Sequence, residues 1–284
     1  MQRQIGVNTW VWTSPLTDER LAALAPRVRD WGFDVIELPV EDPDDWDPAR
    51  AADLLGELGL GATVSLVMGE GRELVATDAA TVAATQSHLR RTVDVAARVG
   101  ATVIGGPAYA SVGRTWRLSP DERAAAYAEL ATNLAPVCDY AAERGVRVGV
   151  EALNRYETSL LNTVDQALEA IAALPPEGCG LMLDVYHMNI EETSVPAAIT
   201  RAGDRIVHVQ VCGNQRGTPG DDHLDWPAIF AALEATGYDG PICIESFTGD
   251  NATIATAASI WRPLAPTQDR LATDGLAFLK GFCS

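Results

Sequence analysis

Three carboxylates in this chain stand where a short apolar run stops. Glu151 follows Val146 to Val150, Asp184 follows Leu181 to Leu183, and Glu245 follows Pro241 to Ile244. Runs of this length and apolarity read as buried strands. A fourth run, Ile206 to Val211, carries His208 and Gln210 within it. Residues two apart on a strand face the same way, so these two point into the sheet's core or out of it together. Gln210 is the later of the pair and lies nearer the strand's carboxyl end. Spacing therefore favours Gln210 as a ligand, with His208 one layer deeper and kept as the alternative. Carboxylates brought close together repel one another and raise each other's pKa. A divalent cation removes that conflict. A set rich in oxygen, with one amide or imidazole, suits manganese, magnesium or cobalt better than zinc. The expectation is one divalent ion, manganese first, on Glu151, Asp184, Gln210 and Glu245. For any single carboxylate the bland alternative is an ordinary surface-loop acid. Four adjacent strands ending this way argue against it.

The elements that must position these groups alternate along the chain. Strand-like runs at 5–7, 35–38, 62–67, 102–105, 146–150, 181–183, 206–211 and 241–244 are separated by helix-like segments. Thr17 is placed to cap a helix over 18–31 that Gly32 ends, and Ser119-Pro120-Asp121-Glu122 opens another that Gly145 closes. Strands alternating with helices imply a parallel sheet. Eight such units in 284 residues imply one α/β domain, a closed (β/α)8 barrel. An open doubly wound sheet is the competitor. It should carry a glycine-rich phosphate turn after its first strand, where this chain has Asn8-Thr9-Trp10. In a barrel the active site lies at the carboxyl ends of the strands, where these acids fall.

The aromatic residues Trp10, Trp12, Tyr109 and Trp116 fall in the loops expected after strands one and four, and would make apolar walls for a sugar. His187 reads as a loop residue beyond the sixth strand, and His88 as structural. The net charge of −18, from 21 basic and 39 acidic residues, excludes a phosphate-binding nucleic-acid face and an anionic membrane surface. Five cysteines without CxxC spacing suggest a reducing compartment. The N-terminal stretch lacks an apolar signal core, and no run reaches the roughly 18 apolar residues of a membrane span. A cytoplasmic protein is expected.

Several stretches carry a resemblance. Glu151-Ala152-Leu153-Asn154-Arg155-Tyr156-Glu157 is one, and Leu183-Asp184-Val185-Tyr186-His187-Met188-Asn189-Ile190-Glu191-Glu192 is another. With Arg216-Gly217, Gly237-Tyr238-Asp239-Gly240 and Glu245-Ser246-Phe247 they resemble the ketose 3-epimerases of the xylose-isomerase-like barrels. The resemblance implies a metal on Glu151, Asp184 and Glu245. Where that family has a fourth, histidine ligand this chain has Gln210, as hydroxypyruvate isomerases of the same superfamily do. It also implies C3 epimerisation of a free ketose through a cis-enediolate, with Glu151 and Glu245 as the acid and base on opposite faces of the sugar. Glu157, His187 and Arg216 match the family's contacts to the O1–O3 end of the ketose. Trp12, Trp116 and the deeper His208 complete the expected substrate contacts.

The same residues leave other functions open. A lyase on 3-oxo-sugars, of the C-glycoside deglycosidase kind, would use this site and require a small second subunit. An aldose–ketose isomerase like hydroxypyruvate isomerase is a further alternative. A zinc nuclease on this barrel needs a histidine-rich site and a basic face, which four histidines and the acidic balance do not offer. A non-enzymatic sugar-binding barrel has no use for three clustered carboxylates. An epimerase would need only a small sugar as partner, with a homo-oligomer possible in its family.

Overall fold

A computed structural model describes residues 3–283. Met1 and Gln2, which head the stretch read for a signal core, and Ser284 lie outside the described residues. Eight strands form the centre: β1 Ile5–Asn8, β2 Val35–Val40, β3 Gly61–Leu66, β4 Val103–Gly106, β5 Arg147–Glu151, β6 Cys179–Asp184, β7 Ile206–Val211 and β8 Ile242–Ile244. Each pairs in parallel with the next, and β8 closes on β1. Closure removes both sheet edges, and the surrounding helices cover the outer face, so these strands are buried on both sides. That is why they read as apolar runs rather than as alternating ones.

The helices are α1 Asp18–Trp31, α2 Pro48–Leu58, α3 Ala79–Val99, α4 Pro120–Ala142, α5 Val164–Ala170, α6 Val185–Glu191, α7 Val195–Ala202, α8 Trp226–Thr236, α9 Ala252–Ala257 and α10 Gln268–Cys283. Their boundaries follow local chemistry. Thr17, Asp47 and Asp78 accept the free N–H groups at the starts of α1, α2 and α3, and Ser119 and Thr163 form reciprocal caps with Glu122 and Gln166. Gly32, Gly59 and Gly100 end α1, α2 and α3 in the left-handed region. Among the described residues no helix is long and apolar enough to cross a membrane.

Two local differences from the sequence reading bear on the site. His187 is not in a loop: Asp184 ends β6 and at once caps α6, its carboxylate accepting the Tyr186 N–H at 2.9 Å. A strand that passes straight into a helix holds His187 on the first turn above the barrel. The short helix α9 carries no strong sequence signal beyond its cap Asn251, which accepts from Thr253 and Ile254.

The register sorts the inward side chains into layers. Asn8, Glu37 and Thr63 are in line across β1, β2 and β3. Met182 is in line with His208, and Asp184 with Gln210, on β6 and β7. The Met182 layer fits because Gly105 on β4 has no Cβ, which would collide with the methionine sulfur.

Candidate active site

At the carboxyl ends of the strands lies a cleft open to solvent. Glu151, Glu157, His187, Arg216 and Glu245 are at its floor. Trp10, Leu66, Val112, Phe247, Ile254 and Ala257 are among its apolar walls, the last two brought over it by α9.

Arg216 joins the floor together. It has a φ of 67° although it is not glycine. A left-handed residue of this kind costs about 1–2 kcal/mol, so its surroundings must hold it. The turn does so: the Gly213 N–H donates to the Gly217 carbonyl at 2.8 Å, and the Ser246 hydroxyl donates to the Arg216 carbonyl at 2.6 Å. The guanidinium is thereby aimed into the barrel mouth, where Nη1 donates to Asp184 Oδ2 at 2.6 Å and to Glu245 Oε2 at 2.7 Å. It lies over the Tyr186 ring, 4.0 Å from the centroid.

One guanidinium bonds two of the three buried carboxylates, Asp184 and Glu245. Burial and the neighbouring Glu245 and Asp184 charges push Glu151 well above the ordinary carboxylate range. Burial also pushes Glu245 up to about 8, opposed by Arg216 and helped by Asp184. The cluster is short of positive charge, which a divalent cation would supply.

His187 supplies none. Burial holds its imidazole neutral, with a pKa of about 3. Its Nδ1 faces the Asn154 backbone N–H at 3.1 Å, which can only donate. Nδ1 therefore accepts there. Nε2 lies 3.0 Å from Arg216 Nη2, which can only donate, and 3.5 Å from Asp184 Oδ2 and 3.6 Å from Glu151 Oε1. The Asn154 side-chain amide donates to Glu157 Oε1 at 2.7 Å. Asn154 thus orients two residues at once, and spacing alone gave no sign of it.

The donor set fits a divalent ion. Gln210 is fully buried, and its Oε1 has no hydrogen-bond partner. Its amide lies against Glu245. A buried amide oxygen without a donor, beside carboxylates with raised pKa, is what an oxygen-ligated cation satisfies. Glu151, Asp184 and His187 bring ligand atoms within 4.8 Å of one another. Glu37, His208 and Cys243 do the same, but there the carboxylate is already saturated by side-chain donors.

Three expected substrate contacts lie elsewhere. Trp12 turns away from the cleft, stacks on Trp31 and donates to Asp269 at 2.8 Å. Trp116 lies under the Arg114 guanidinium and bonds through its backbone to Ser159. His208 is fully buried one layer down, bonded to Glu37. Tyr109 is also fully buried, so of the four loop aromatics only Trp10 lines the cleft. The paths of loops decide such contacts, and a strand register does not encode them.

Comparison with known proteins agrees with this arrangement. The pattern of the xylose isomerase-like TIM barrel family matches residues 25–280. A ketose 3-epimerase of Arthrobacter globiformis is 33% identical over 279 residues, covering 98% of this chain and 96% of the relative. A solved L-ribulose 3-epimerase superposes with a TM-score of 0.91 at 31% identity, over 99% of this chain and 94% of the other. A solved D-allulose 3-epimerase of Methylomonas sp., in complex with D-allulose, gives 0.88 at 32% identity, over 99% and 98%. Relatives aligned end to end are epimerases, which favours that expectation over the lyase and the aldose–ketose isomerase. With its closed barrel, its carboxylates at the strand ends and its match over most of its length, the chain belongs to the xylose isomerase-like TIM barrel family.

Proposed function

We propose that this enzyme is a divalent-metal-dependent 3-epimerase of a free ketose. The observation that carries the reading is the convergence of buried Glu151, Asp184 and Glu245 at the floor of a cleft, with the unpartnered amide oxygen of Gln210 on the neighbouring strand end. Glu151, Asp184, Gln210 and Glu245 would hold the ion, and manganese suits the set, with magnesium or cobalt next. When bound, the ion polarises the ketose C2 carbonyl and acidifies the C3 proton.

The protein's own groups do the rest. One of Glu151 and Glu245 removes the C3 proton, giving a cis-enediolate. The other, reaching from across the barrel, returns a proton to the opposite face and inverts C3. The Arg216 guanidinium is a donor for the developing oxyanion, and His187, 3.0 Å from it through Nε2, lines the same site. Glu157, held by Asn154, faces the hydroxyls at the O1–O3 end. Apolar walls at Trp10, Leu66, Val112 and Phe247 receive the rest of the sugar. Among the described residues lining the cleft, Arg216 is the only permanent cation, and two carboxylates already engage it. That supports a free sugar over a sugar phosphate. Trp12, Trp116 and His208 have no place among the direct contacts in this reading, which also requires no second subunit.

The test is to strip the protein with EDTA, restore manganese, and assay D-allulose and L-ribulose for their C3 epimers, with Gln210→His in parallel. Turnover lost on stripping and regained with manganese is expected. Protein that binds manganese yet turns over no free ketose, in either form, would overturn the assignment.

A further inference from the structure

A carboxylate in the layer beneath the site has no role in the reaction as described. Glu37 sits in the middle of β2, flanked by Ile36 and Leu38, and is completely buried. Four side chains from three other strands donate to it or meet it: Asn8 Nδ2 at 2.7 Å, Thr63 Oγ1 at 3.2 Å, Gln210 Nε2 at 2.5 Å, and the His208 imidazole through Nε2. Burial opposes its charge, but His208 and the hydrogen bonds of His208, Gln210 and Asn8 outweigh it and hold the carboxyl below its ordinary range.

The consequence falls on Gln210. A primary amide can present either its NH2 or its oxygen in a given direction, at nearly equal steric cost. A carboxylate only accepts. With Glu37 beside it, the Gln210 NH2 must face downward into the Glu37 layer. The Oε1 cannot meet Glu37 in its place, and it is buried and without a partner. The orphan oxygen and the saturated carboxylate are two ends of one arrangement.

We propose that Glu37 is a positioning residue that fixes the orientation of the Gln210 amide, so that its oxygen and not its nitrogen is presented to the divalent ion. The inference rests on Gln210 being a ligand and adds the group that makes an amide serviceable there. His208, Asn8 and Thr63 keep Glu37 charged and in place, which gives His208 a supporting part in the site instead of a substrate contact. In Glu37→Gln the new side chain carries its own NH2. It can donate to the Gln210 oxygen, and the amide is free to turn over.

Manganese affinity measures this without reference to turnover. Isothermal titration of EDTA-stripped protein at constant pH would compare the wild type with Glu37→Gln, Gln210→Met and the double variant. Loss of a partner behind a metal ligand costs roughly 10–100-fold in affinity. Glu37→Gln is expected to weaken manganese binding by that factor, and Gln210→Met by at least as much. The double variant should be no weaker than Gln210→Met alone, because the two act through one bond. Glu37→Gln binding manganese within twofold of the wild type overturns the proposal. So do losses that multiply in the double variant, which mark a purely structural role for Glu37. Should Glu37→Gln not fold by circular dichroism, Glu37→Asp takes its place in the cycle. It keeps the charge and withdraws the acceptor by one methylene. A wild type that binds no manganese sinks the metal reading itself, an outcome visible before any variant is made.

Discussion

Arg216 Nη1 lies 2.6 Å from Asp184 Oδ2, with both side chains buried at the barrel mouth. The same nitrogen also serves Glu245, so a single guanidinium pairs with both acids. Breaking a buried pair by removing one partner costs about 3–5 kcal/mol, because the other charge is left unpaired. Arg216→Met is therefore expected to lower the melting temperature of EDTA-treated protein markedly. Manganese should restore more of that loss than it adds to the wild type. Thermal melts with and without manganese measure both. Equal melting temperatures for the two stripped proteins would count against Arg216 as the countercharge.

The pH dependence follows from the same cluster. Glu245, raised to about 8 from an ordinary value of 4.5, binds its proton more tightly folded than unfolded. Its contribution to stability is fully present below about pH 4.5 and is lost as pH rises through about 8. Glu151 is shifted in the same direction. These groups should make the stripped protein easier to unfold in urea at pH 8 than at pH 6. Manganese must displace those protons, so its affinity should rise over the same interval. Urea titrations at several pH values with EDTA, and calorimetric titrations in buffers of different ionisation enthalpy, would report the two halves. A manganese affinity flat from pH 6 to 8 would contradict the account.

Asn154 offers a test away from the acids. Its side-chain amide donates to Glu157 and also lies 3.0 Å from His187 Nδ1, which its backbone N–H meets as well. Asn154→Ala removes both side-chain contacts and leaves the backbone bond to His187. With Glu157 released, a substrate-positioning error near 1 Å is expected, worth roughly 10²-fold in kcat/KM. Manganese affinity should stay unchanged, since no proposed ligand is touched. An unaltered kcat/KM for the ketose would remove Glu157 from the substrate contacts.

Much of this site is legible in the chain because strand ends are local. Val148 to Glu151, Leu181 to Asp184 and Ile242 to Glu245 each declare a buried strand and the acid that closes it, and closure of eight units brings them together. The two-residue period of β7 separates Gln210 from His208 by depth, and the structure keeps that order. Glu37 also left a signal, a lone carboxylate inside Val35-Ile36-Glu37-Leu38, which only an inward polar layer explains. Trp12 left none. Its partner Asp269 is 257 residues away, and which way a loop ring turns depends on such contacts. The Asn154 bridge is likewise made across β5 and α6, with no spacing rule to announce it.

The central claim is proton transfer at C3 by Glu151 and Glu245. Epimerisation of D-allulose in D2O by the manganese-loaded enzyme, read by NMR, tests it most directly. The account predicts product carrying one solvent deuteron at C3 and protium elsewhere. It also predicts that Glu151→Gln and Glu245→Gln each lower the rate of inversion by roughly 10²–10⁴-fold. Product that keeps its original C3 hydrogen, or a full rate of inversion in either variant, would contradict it.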